Sequence, residues 1–130
     1  MSFTHTYTLS CSPSGGVPLT STYPVTSGAE VNISEVIPGA SADLVVACTL
    51  KVSKMQSLYL YCADRDMTVK TNSGVSPAAT VNLKAGKALV WEATTGQANP
   101  FAAVDVTALY VTLAAGANAT FEMRCVVDPT

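Results

Sequence analysis

Large residues alternate with Thr and Ser at the start of the chain. Phe3-Thr4-His5-Thr6-Tyr7-Thr8-Leu9-Ser10-Cys11 keeps a period of two over nine residues, which predicts a half-buried strand with its β-branched residues facing out. Ser12-Pro13-Ser14-Gly15-Gly16 is a loop by composition. Leu19 to Val25 reads as extended, and Pro18 and Pro24 confine it to an edge because proline cannot donate to a ladder. Val31-Asn32-Ile33-Ser34 is a short strand, and Pro38-Gly39 marks the turn after it. Asp43 to Val52 is the clearest core strand, with Leu44, Val46, Cys48, Leu50 and Val52 in phase. In Leu58-Tyr59-Leu60-Tyr61-Cys62 the leucines share one face and the tyrosines the other.

The second half continues in the same period. Asp64-Arg65-Asp66 is a turn, Met67 to Thr71 a strand and Asn72-Ser73-Gly74 a turn. Thr80 to Leu83 and Ala88 to Glu92, joined by Lys84-Ala85-Gly86-Lys87, read as a β-hairpin. Thr95 to Pro100 is a loop, Thr107 to Leu113 a strand and Ala119 to Val127 the last strand. Eight to ten short strands with frequent turns predict an all-β, single-domain antiparallel β-sandwich over residues 1–130, jelly-roll-like. Residues 12–27 form an extended arm or edge segment within it. Gly28 to Val36 and Asn99 to Val106 remain open to a helical alternative.

Composition changes the picture in one respect. Only 12% of the 130 residues are charged, against a usual share of about 25%. Hydrophobic residues make up 48%, so disorder is excluded. A net charge of −2, with seven Lys and Arg spread along the chain, argues against electrostatic binding of nucleic acid. A surface this poor in charge repels its own copies weakly, and interface cores are likewise depleted in charge. The expectation is therefore an assembly in which much of the surface is covered, with a neutral soluble domain as the plainer alternative.

No apolar stretch approaches the ~20 residues of a membrane span, so no membrane partner is expected. The beginning, Met1-Ser2-Phe3-Thr4-His5, lacks a basic segment followed by an apolar one, and the chain is expected to stay in the cytoplasm where it is made or to leave by cell lysis, not by export. Cys11, Cys48, Cys62 and Cys125 form no CxxC pair, and with His5 as the one histidine a metal site is not expected. Four cysteines allow two disulfides in three connectivities. All four instead fall in the apolar phase of a strand, where a free thiol acts as a small buried hydrophobe.

Chemistry-bearing patterns are scarce. His5 is the sole imidazole, placed in the apolar phase of the first strand, and reads as structural, not as a base. Asp64 and Asp66 flank Arg65 in a turn and read as a solvated surface. There is no glycine-rich phosphate cradle, and the matches Asn32-Ile33-Ser34 and Asn118-Ala119-Thr120 to a glycosylation acceptor are taken as accidental. No catalytic, cofactor or metal residue is expected. The candidate interface residues are Tyr59 and Tyr61, opposite the leucines, and Trp91 beside the loop that carries Pro100 and Phe101. For the tyrosines a two-sided buried strand is an equal alternative. For Trp91 a core anchor is the commoner role.

Several stretches resemble a family. They are Met55-Gln56-Ser57-Leu58-Tyr59-Leu60, Met67-Thr68-Val69-Lys70-Thr71-Asn72-Ser73, Leu83 to Trp91, Asn99-Pro100-Phe101 and the ending Val126-Val127-Asp128-Pro129-Thr130. Together with the alternating first strand they resemble the capsid cement, or decoration, proteins of tailed bacteriophages. The resemblance implies a jelly-roll-like sandwich, often trimeric, that is made in the host bacterial cytoplasm, sits on the outer capsid surface of the virion and clamps neighbouring major capsid protein subunits. It implies no enzymatic residue. Two other readings stand beside it. One is a phage-associated glycan- or receptor-binding module using Tyr59, Tyr61 and Asp64. The other is a self-assembling shell subunit. An enzyme is a remote fourth, and would need His5.

Overall fold

The computed structural model describes all 130 residues, and ten strands carry the fold. They are β1 (Phe3–Cys11), β2 (Leu19–Ser27), β3 (Ala29–Ile37), β4 (Ser41–Val46), β5 (Met55–Cys62), β6 (Met67–Thr71), β7 (Thr80–Leu83), β8 (Leu89–Glu92), β9 (Leu109–Leu113) and β10 (Ala119–Val127). The only helical element is a single 3-10 turn at Val52–Lys54. Strands β3 to β10 make two four-stranded sheets, in the orders β3-β10-β5-β8 and β4-β9-β6-β7. Every pairing is antiparallel. The pairing is nested: β3 lies beside β10, β4 beside β9, β5 beside β8 and β6 beside β7.

The inward sets follow from the alternation. Leu58, Leu60 and Cys62 of β5 and Phe121, Met123 and Cys125 of β10 are fully buried from one sheet. Met67, Val69, Leu109, Val111 and Leu113 meet them from the other. One core cluster of 23 buried residues joins the two layers, so residues 28–130 have the single core expected of one sandwich.

Several expectations need correction. The chain from Thr80 to Glu92 is not a hairpin. β7 pairs with β6 in one sheet and β8 with β5 in the other, so the turn at 84–87 crosses between layers. Asp66 holds that turn, accepting from the Ala85 amide at 2.9 Å and from Lys84 at 3.0 Å, and Gly86 donates to the Cys62 carbonyl. A hairpin turn and a crossing turn use the same residue types, so composition does not separate them.

The strand expected from Asp43 to Val52 ends at Val46. Beyond it Leu50 makes an isolated bridge to Val106, and the 3-10 turn follows. Val46, Cys48, Leu50 and Val52 are buried as expected, but Leu44 is 38% exposed. The pairing with β9 shifts between Ser41 and Leu44, and Asp43 sits at φ 53°, which takes Leu44 out of phase. The segment open to a helical reading at 28–36 lies mostly in β3, which pairs with β10 along its whole length, and 99–106 is a series of turns.

The extended segment at 12–27 is half of a larger unit. β1 and β2 pair with each other over nine residues and with nothing else, forming a two-stranded arm joined to the sandwich through Gly28. Pro24 lies in β2, which has no second neighbour, as its edge reading requires.

Candidate functional site

The arm lies across the outer face of the first sheet. Its foot is a small apolar cluster of Tyr7, Val25 and Val126, with Tyr23, Tyr59 and Val90 packed around it. Tyr7 and Tyr23 stack with ring centroids 5.7 Å apart. The Tyr7 hydroxyl donates to the buried Ser57 Oγ at 2.9 Å, giving a polar group in the sheet face its partner. Burial raises the Tyr7 hydroxyl pKa above its ordinary value. Nearer the start of β1, His5 Nε2 lies 2.8 Å from Glu30 Oε2 on β3. That hydrogen bond holds the Glu30 carboxyl below its ordinary value. His5 Nδ1 is buried with no partner.

His5 touches β3, Tyr7 touches β5 and β10, and Leu9 lines the same cleft as Val90 of β8, which packs against the foot. The arm therefore runs across the sheet in the order of its strands and leaves over the β8 edge. Residues 8–22 are exposed throughout. At ~3.3 Å per residue, the two steps from Leu9 to Cys11 carry the paired strands about 7 Å further, and the turn closed by the Gly16 amide on the Pro13 carbonyl caps them. This overturns the expected burial of Leu9 and Cys11. Leu9 is 47% exposed and Cys11 is also exposed, because no second layer lies under the outer half of β1.

Between β1 and the sheet lies an open cleft of about 560 Å³. Five consecutive residues, His5 to Leu9, line it together with Asn32, Tyr59, Val90 and Arg124. Its ionic groups are paired locally. Arg124 donates to the Ile33 and Met123 carbonyls and to Glu122 Oε2 at 2.9 Å, and Ser34 donates to Glu122 Oε1 at 2.8 Å.

The predicted interface residues separate into two groups. Tyr59 and Tyr61 stand half-buried on the outer face of β5, rings 6.3 Å apart and tilted by 32°. Tyr59 borders the cleft, and Tyr61 lies opposite Glu122, away from it. Trp91 and Phe101 belong to the core. Trp91 is 8% exposed, pairs with Leu58 and donates its indole N–H to the Gln97 carbonyl at 2.9 Å. Phe101 is fully buried because Asn99 Oδ1 accepts its amide and turns the loop inward. Pro100 beside it is half-buried at the rim. Asp64 is exposed on its turn, while Arg65 bonds the Ala115 carbonyl at 3.0 Å and so clips one loop to another.

The four thiols are free. Burial pushes Cys48 up to about 11 and Cys125 up to about 12, and raises Cys62. Residues 12–27 are expected from the sequence as an arm or edge segment, but the pairing that makes β1 its other half is not. The arm's signal is the 29 residues before Glu30, which contain no Asp, Glu, Lys or Arg. A comparison with known protein families, curated proteins and solved structures returns no match.

Proposed function

We propose that the chain is a structural virion protein that binds the outside of a bacteriophage head and stabilises contacts between major capsid protein subunits. The observation that carries this reading is the uncharged arm projecting from a compact sandwich. Such an arm exposes backbone edges and apolar side chains that only a neighbouring surface would cover. The nested pairing of β3 to β10 supports the jelly-roll part of the reading, since rolling up one long antiparallel ribbon produces that order. The shortage of charge agrees with a protein that meets several neighbours at once. In this role it acts without catalysis. Each copy adds buried area across a subunit joint, ~1,600 Å² for a standard interface, and repetition over the shell multiplies the effect. A trimer on the outer capsid surface is the arrangement proposed.

The test is co-sedimentation of the purified chain with empty heads of the phage that encodes it, with native mass spectrometry of the free chain. Saturable binding that raises the temperature of shell disruption supports the reading, as does a trimer insensitive to reductant. Absence of binding to intact heads overturns it. Tyr59 beside Asn32 and Arg124 in the cleft, with the Tyr61 ring 6.3 Å from its own, favours a second reading, a glycan- or receptor-binding module. That reading predicts saccharide binding lost in Tyr59→Ala.

A further inference from the structure

The overhanging half of the arm has two free edges, and they are not alike. On the β2 side the four overhanging residues, Leu19 to Thr22, lie between Pro18 just before them and Pro24, opposite Thr6, just inside the overhang, and proline is a common guard against strand addition. β1 contains no proline and no Asp, Glu, Lys or Arg. The outer half of β1, Thr8 to Cys11, is exposed and is a flat alternation of Thr, Leu, Ser and Cys. Natural edge strands of this kind are blunted with lysine, proline or a bulge, and none of these is present in β1, whose register with β2 runs unbroken from Phe3 to Cys11.

The two faces of the overhang also differ. One is paved with cross-strand polar pairs, Thr8 with Thr22 at 3.3 Å and Ser10 with Thr20 at 3.4 Å. The other carries Leu9, Cys11 and Leu19, continuing the face that Tyr7 and Val25 bury at the foot, and Val17 lies exposed in the loop beyond.

We propose that the overhang is a contact between two copies of this chain, with β1 of one copy adding antiparallel to β1 of the other about a two-fold axis near Ser10. The result is a four-stranded ribbon in the order β2-β1-β1-β2. Charge selects this occupant. A charged strand would meet no counter-charge on the ribbon, whereas the first 29 residues of a second copy bring no Asp, Glu, Lys or Arg and match it. Antiparallel pairing places the two sandwiches at opposite ends of the ribbon, because each overhang leaves its own sheet before the axis. The Leu9 and Leu19 side chains of both copies then share one face. Four or five residues a strand bury well below the ~1,200 Å² of a stable interface. The contact is therefore weak in dilute solution and strengthens when copies are held side by side, as on any surface that binds many of them. It does not depend on the capsid reading.

Cys11 reports on the pairing, since it is the one exposed thiol and lies next to the proposed axis. The experiment treats the full-length chain with a short bis-maleimide over a concentration series and reads the covalent dimer on a denaturing gel. The expected result is a dimer whose yield rises with concentration and disappears in Cys11→Ser. Thr8→Lys with Ser10→Lys places like charges across the axis and lowers the yield about tenfold or more, while single-thiol labelling of Cys11 and the melting temperature stay unchanged. Mixing that variant with Thr8→Glu plus Ser10→Glu restores the yield. No dimer at any concentration overturns the proposal. So does a dimer that forms equally well with lysine on both copies.

Discussion

β10 and β1 are both nine residues long and both alternate, yet they end in opposite states. In β10 the inward set of Phe121, Met123 and Cys125 is fully buried between two layers. In β1 only Tyr7 is buried, and the set runs out into solvent at Leu9 and Cys11. The difference lies in what stands opposite. β10 has a neighbour on each side and a second sheet beneath it, whereas β1 has one neighbour and a sheet beneath half its length. Alternation is a property of a strand alone, and burial is a property of its surroundings. A free two-stranded ribbon is marginal in water, so the arm owes its shape to its foot.

The strongest way to test this contrast is to empty one side of it. Phe121→Ala removes a fully buried ring and is expected to cost the whole sandwich ~3–5 kcal/mol, read from the urea midpoint. Tyr7→Ala removes the central ring of the foot and is expected to cost roughly 2 kcal/mol of arm docking. Hydrogen exchange should then speed up in residues 3–27 while β5 and β10 stay protected. Equal loss of protection in both regions would mean the arm is part of the core's cooperative unit.

A smaller change sharpens the same boundary. Tyr7→Phe keeps the ring and removes the bond to Ser57, at an expected cost of about 1 kcal/mol. Thiol chemistry draws the line without mutation. Only Cys11 should react quickly with a disulfide reagent at neutral pH, because burial keeps Cys48 and Cys125 protonated. Two fast thiols in the native chain would contradict this packing.

The weakest effect is that of pH. Glu30 has a depressed carboxyl, so its contribution to docking is present above its ordinary value of 4.5. That contribution is lost as pH falls through the lower value of the folded state. Arm exchange should rise on acidification below that point, and His5→Ala should flatten the dependence.

The sandwich was largely legible because its strands alternate and its turns carry Gly, Pro, Asn and Asp. Strand pairing was less so. Nothing in Lys84-Ala85-Gly86-Lys87 states whether Leu83 and Leu89 lie side by side or in facing layers. The phase slip at Leu44 came from a backbone irregularity at Asp43, an ordinary residue in the sequence. Of the candidate interface residues, Tyr59 and Tyr61 kept their place on an outer face, and Pro100 is half-buried at a loop rim. Trp91 and Phe101 went to the core, where a hydrogen bond for the indole and an Asn99 turn make room for them. Residues 12–27 were legible as an arm or edge segment, but β1's part in it was not, because that strand looks like any other and the arm's lack of charge shows only when residues 1–29 are taken together.

The nested pairing has a consequence for how the chain is made. β3 and β10 are neighbours in the sheet, with Ala29 opposite Val127, although nearly the whole sandwich separates them along the chain. Closing so long a loop delays the contact that rewards it, and folds dominated by distant pairings are slow. At ~5–20 residues per second of synthesis, β3 waits several seconds for its one neighbour in the sheet. During that wait the arm is out of the ribosome with its foot unbuilt, since Val126 has not yet been added. The last nine-residue strand is thus a checkpoint. A chain truncated before β10 would expose an open sheet and a loose uncharged hairpin at once, which makes premature termination a direct route to aggregation.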